Sequence, residues 1–192
     1  IAVQGRHPKT GRSFIWHMFQ ARPGGGASSA GDGWPGAGEW QAAGGIKFGS
    51  LEVTEVRFPL FFRRHEFRPD SGGDGRYRGG PGGVLEFVVE TDEPARANTA
   101  GDGVRHGACG MTGGADGKPH RYRLLSNGKS RDLKTKEVGI EVEPGAVFFV
   151  ESGGGGGWGD PRRRSPQARA VDVRDGFVAS RTPRKSRAGR RR

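Results

Sequence analysis

The chain is poor in cysteine, in paired histidines and in long apolar runs, and each shortage excludes something. One cysteine in 192 residues, Cys109, rules out an internal disulfide, and a reducing, cytoplasmic setting fits that usage. No apolar stretch approaches the roughly 20 residues that a membrane-spanning helix needs, and the first residues lack the charged-then-apolar pattern of a secretory leader, so neither membrane insertion nor secretion is supported. The five histidines, His7, His17, His65, His106 and His120, form no H-x-x-x-H pair and join no carboxylate cluster at metal-ligand spacing. No metal site is therefore expected within the chain. His106 and Cys109 stand three apart without companions, and the plain reading is a surface histidine and a buried thiol. Nothing marks a base that would activate Cys109, so no catalytic residue is assigned.

Glycine is what the chain has in abundance: 37 glycines, with 12 prolines, bring it near the composition of disordered proteins. Hydrophobic residues at 32% and clustered aromatics argue instead for an ordered, loop-rich protein. The formal charge of +11 is not spread along the chain. Residues 162–192 hold 12 of the basic residues against Asp172 and Asp175 alone, while residues 1–161 hold 20 basic and 19 acidic residues. The body is nearly neutral, and the end is basic. That end has no aromatic residue after Phe177, whereas single-stranded nucleic acid is gripped by interleaved aromatics.

Strand signals dominate the body. "SFIWHMF" (13–19), "SLEVTEVRF" (50–58), "LFFRRHEFRP" after Pro59, "VLEFVVE" (84–90) and "HRYRLLS" (120–126), the last followed by the turn dipeptide Asn127-Gly128, read as extended segments. "VGIEVE" and "AVFFVES", joined by Pro144-Gly145, read as a hairpin. One helix is expected near the end, with Ser165 as N-cap, Pro166 in the first turn, Ala170, Val173 and Phe177 on one face, and Gly176 near its stop. The fold class is α+β, predominantly β, with glycine-loop-rich strands and a C-terminal helix. "GDGWPG" (31–36) matches a dinucleotide-binding spacing but has no strand before it, and Pro35 spoils a helix after it. "NGKS" (127–130) lacks the first glycine of a P-loop, because that position is Arg123.

Two stretches carry more. In "RRHEFRPDSGGDGRYRGG" (63–80), arginines flank a glycine turn in a way that suits a carboxylate or phosphate, or that locks the loop through a pair such as Arg68 with Asp70. In "VESGGGGGWGDP" (150–161), five consecutive glycines mean either close backbone approach with special φ values or a floppy linker.

Residues 55–90, with R-x-E-x-R-P-D-S-G-G-x-G-x-x-R-G-G-like spacing, and residues 143–179, with E-P-G, the glycine run, G-D-P and D-V-x-D-G-x-V, together resemble the hydantoinase B/5-oxoprolinase family. "GGGASSAGDGW" (24–34) is similar to an earlier glycine loop of that family, and 91–142 follows by order alone. The resemblance implies an ordered glycine turn joining the last strand to the helix, within a larger hydantoinase B-like fold. It also implies a role in ATP-dependent opening of hydantoins or 5-oxoproline, or in ketone carboxylation. ATP would be bound by a hydantoinase A-like partner subunit, and a divalent metal by His and Asp residues in a region upstream of this sequence. The sequence begins at Ile1 and resembles about a third of such a subunit, its C-terminal part, so activity is not expected of it alone.

The domains read as 1–179, hydantoinase B-like, and 180–192, a basic disordered tail. Arg63, Arg64, Arg68, Asp70 and Arg78 are the candidate substrate-pocket or subunit-interface residues. The alternative is a noncatalytic module holding nucleic acid or another polyanion through the arginine-rich tail by counterion release. With that tail free of aromatics, a nucleic acid partner is the weaker expectation.

Overall fold

A computed structural model describes residues 1–37 and 49–179. Among these residues nine strands form two antiparallel sheets. One has the order β2 (Ser13–His17), β1 (Ala2–Arg6), β5 (Ala95–Thr99), β8 (Glu137–Val142). The other runs β3 (Leu60–Phe67), β4 (Gly83–Val89), β9 (Val147–Glu151), β6 (Arg121–Ser126), β7 (Lys129–Asp132). Period-two burial supplies the core: Val3, Phe14, Trp16, Ala97, Ile140 and Val142 from the first sheet meet Leu85, Phe87, Val89, Leu124, Phe148 and Val150 from the second. Phe87 is the pivot, stacked on Phe148 at 5.0 Å and meeting Trp16 edge-on at 5.0 Å.

Two expectations about local structure give way. Residues 51–57 are a helix, α1 (Leu51–Arg57), although their β-branched residues favour a strand. Ser50 caps it, its Oγ accepting from the Val53 N–H at 3.2 Å, and Pro59 stops it. The Glu55 carboxylate then accepts the Phe62 N–H at 2.7 Å, satisfying an amide of strand β3. Local capping has outweighed a weak propensity. The Pro144-Gly145 turn does not close a hairpin either: β8 pairs with β5, and β9 lies between β4 and β6. β9 is largely buried and takes the centre of its sheet, whereas β8 has half of its residues exposed and takes an edge.

Beyond β9 the five glycines continue straight out of the sheet as the axis of a second, all-backbone core. Three excursions of the chain run out along this axis and return. The outgoing legs donate to it: Gly24 N–H to Gly153 O, Ala27 to Gly156, Gly73 to Gly155 and Met111 to Gly157, all at 2.8–2.9 Å. The returning legs accept from it: Gly154 N–H to Lys118 O, Gly155 to Gly80, Gly157 to Ala115 and Trp158 to Tyr77, at 2.9–3.0 Å.

Consecutive glycines face different legs. A Cβ on Gly154 would fall on the Ser71 carbonyl, on Gly155 on the Gly25 carbonyl, on Gly156 on the Cys109 carbonyl, and on Gly157 on the Asp74 carbonyl, back on the excursion that Gly154 meets. That repeat of three is the periodicity of a polyproline-II-type strand hemmed in on every side, where only hydrogen fits. The run is thus ordered by close approach. It is not itself a turn, as the resemblance implied, and the left-handed residue is Gly159, with φ 74°.

After a 3-10 turn over Pro161–Arg163, helix α2 (Pro166–Arg174) begins at Ser165, whose Oγ accepts the Ala168 N–H at 3.1 Å, and ends before Gly176 at φ 74°. Its buried residue is Asp172; of the expected inner face, Ala170 and Val173 are exposed, while Phe177, just past the helix end, is half-buried against Phe67 and the Arg78 guanidinium. The helix itself docks mainly through charge. The expected tail, 180–192, lies outside the described residues.

Candidate functional site

A cleft of about 600 Å³ opens between the glycine core and α2. One wall is backbone, Gly72, Gly73, Gly75 and Ala115; the charged groups around it include Asp70, Asp74, Asp116, Lys118, Arg164 and Arg169. The glycines let the wall approach so closely because no side chain intervenes.

Of the five candidate residues, two meet here. Asp70 takes a left-handed conformation, φ 56°, and clamps the segment after α2: its N–H donates to Phe177 O at 2.9 Å and its carboxylate accepts the Ala179 N–H at 3.2 Å. Arg78 is buried, donating through Nε to Asp172 Oδ1 at 2.9 Å and through Nη1 to Gly79 O at 2.6 Å, with its guanidinium 4.8 Å from the centre of the Phe177 ring. Arg63 and Arg64 do not line the cleft. They lie on exposed β3, paired with Glu86 at 3.5 Å and Glu66 at 2.7 Å.

Arg68 does not pair with Asp70. It sits where the second sheet meets the glycine core, donating to Pro119 O at 2.8 Å and Ser152 O at 3.1 Å, with Glu151 at 3.6 Å.

Composition alone did not single out the groups that complete the arrangement around Arg78. Arg164 donates Nε to Asp172 Oδ2 at 2.8 Å, and Nη1 and Nη2 to the two oxygens of Asp32 at 2.7 and 2.8 Å. Asp32 also accepts the Arg78 N–H at 2.7 Å. Two arginines and two aspartates from the first glycine excursion, the second excursion, the 3-10 turn and α2 close into one neutral clasp. Partial burial works to raise the Asp32 pKa, but the bonds from Arg164 and Arg78 overcome it, and the group is held below its ordinary value. The available signal was the family-like spacing, since Asp32, Arg164 and Asp172 all fall in or beside the glycine and D-V-x-D-G motifs.

His120 guards the root of the glycine axis. Its Nδ1 accepts the Gly153 N–H at 3.2 Å, so in this tautomer Nε2 carries the proton. Burial, and secondarily the Arg68 guanidinium, lower its pKa against an opposing pull from Asp102. The neutral ring is thus favoured by folding more than by the unfolded chain. This contribution is complete above pH about 6.5 and lost as pH falls through the lowered folded value. Thermal midpoints measured between pH 7.5 and 5 should therefore decline, and His120→Asn, whose amide oxygen can still accept from Gly153, should flatten that decline. An unchanged slope in the variant would contradict the assignment.

Chemically, the cleft offers fixed charges and backbone. Among the described residues no three His, Cys, Asp or Glu side chains are grouped to hold a metal, and no helix is long and apolar enough to cross a membrane. The described residues therefore offer no grouped donors for the metal that the resemblance places upstream. Cys109 is exposed, not buried as read, because it lies on an outgoing leg whose backbone, not its side chain, faces the axis.

Comparison with known proteins accounts for this architecture. The family model "Hydantoinase B/oxoprolinase" matches residues 1–161. The chain is 33% identical over 189 residues to caprolactamase subunit beta of Pseudomonas jessenii, covering 93% of this chain and 32% of that one. It is 31% identical over 108 residues to 5-oxoprolinase 1 of Arabidopsis thaliana, covering 56% of this chain and 8% of the plant protein. The crystal structure of the ATP-dependent caprolactamase from Pseudomonas jessenii superposes with a TM-score of 0.79 at 28% identity over 93% of this chain and 32% of that one. Nucleotide-free acetone carboxylase shares the fold, with a TM-score of 0.73 at 23% identity over 94% of this chain and 28% of that one. The chain spans at most about a third of the length of these relatives. The glycine core, the strand order and these matches agree: the chain belongs to the hydantoinase B/oxoprolinase family.

Proposed function

We propose that this chain forms the glycine-core part of the B-type subunit of an ATP-dependent cyclic amidohydrolase, working with a hydantoinase A-like subunit that binds ATP. The observation that carries the reading is the 33% identity to a caprolactamase beta subunit across 93% of the chain. The chemistry explains the need for ATP. An unstrained lactam resists attack by water; phosphorylating its oxygen creates a leaving group and leaves an electrophilic carbon.

Within that division of labour, the described residues act as a scaffold. They contain no metal cluster, and Arg78, Arg164 and Asp172 are already committed to one another. Asp70 and Arg78 hold the cleft wall, Arg68 joins the sheet to the glycine core, and Arg63 and Arg64 present an exposed edge for contact with other parts of the assembly. The setting proposed is cytoplasmic, where ATP is available. The polyanion-binding reading rests on residues 181–192, which lie outside the described residues, and no observation on the described residues favours it.

The test is lactam-dependent ATP hydrolysis. The chain is co-expressed with a hydantoinase A-type subunit and the upstream part of a B-type subunit. ADP release is then followed with caprolactam, hydantoin, 5-oxoproline, or acetone with bicarbonate. The reading expects release that requires one of the cyclic amides and that is lost when this chain is omitted. Release stimulated only by acetone with bicarbonate would assign the carboxylase branch, and no stimulation by any of them would reject the proposal.

A further inference from the structure

We draw no further inference here: the strongest candidate, the open pocket between loop 102–106 and the β7–β8 connection lined by Arg105, His106 and Lys134, carries nothing, because its cations are exposed and nothing in the structure shows what covers them.

Discussion

Replacing Gly155 by alanine is expected to remove much of the chain's stability, whereas the same change at Gly26, two residues beyond the first excursion's opening contact at Gly24, is expected to be nearly silent. The Gly155 Cβ would occupy the position of the Gly25 carbonyl, with the Gly26 amide immediately behind it. Backbone cannot swing aside as a long side chain can, and the Gly155 N–H and carbonyl are both engaged, with Gly80 and Gly73. Relieving the overlap means parting two legs and their hydrogen bonds. The cost should exceed about 4 kcal/mol, a large part of the 5–15 kcal/mol or so that a domain has in total. A Cβ at Gly26 meets nothing within 4 Å, and its φ lies outside the left-handed region, so Gly26→Ala should shift stability by less than about 1 kcal/mol. Soluble yield and urea midpoints of the two variants measure this. Equal stability would show that the axis is not packed as described.

The second large effect is expected at Asp172. Its carboxylate lies between the Arg78 and Arg164 guanidinia, with all three side chains under one-tenth exposed. Asp172→Ala leaves both guanidinia buried beside a missing counter-charge, with Asp32 able to answer only Arg164. Removing one partner of a buried pair costs about 3–5 kcal/mol. Because the clasp joins α2 to the glycine core, the loss should fall first on the helix. Limited proteolysis should cut within 161–179 before the sandwich opens, while the Phe87–Phe148 core keeps its near-ultraviolet signal. Loss below about 1 kcal/mol with no new cleavage would mean that the clasp does not hold the helix.

These effects show what the sequence disclosed and what it withheld. Phe14 and Trp16, Phe87 and Val89, and Phe148 and Val150 alternate with period two, so their strands were legible, as was the helix marked by Ser165, Pro166 and Gly176. The order of residues 153–157 was legible from motif resemblance, but their form was not. A polyproline-II-type axis is defined by legs from around residues 25, 72 and 109, and no local pattern in five identical residues records who surrounds them.

Asp172 illustrates the same limit. An aspartate on a short helix reads as a solvated residue until Arg78, 94 positions away, and Arg164 are brought to it. Among the candidate residues, Asp70 and Arg78 reached the cleft because their glycine loop folds against the axis. Arg63 and Arg64 followed strand β3 to the outside. Helix α1 was missed because a seven-residue helix depends on its Ser50 cap and on Glu55 reaching Phe62, both weaker signals than a run of valine and threonine.

Amide hydrogen exchange along residues 148–158 tests the central claim most directly. The Gly153, Gly154, Gly155 and Gly157 N–H groups are buried and bonded to His120, Lys118, Gly80 and Ala115, so they should exchange only as slowly as Phe148 and Val150 in the neighbouring strand. Exchange of these glycines at the rate of a free peptide, with the strand still protected, would contradict the account.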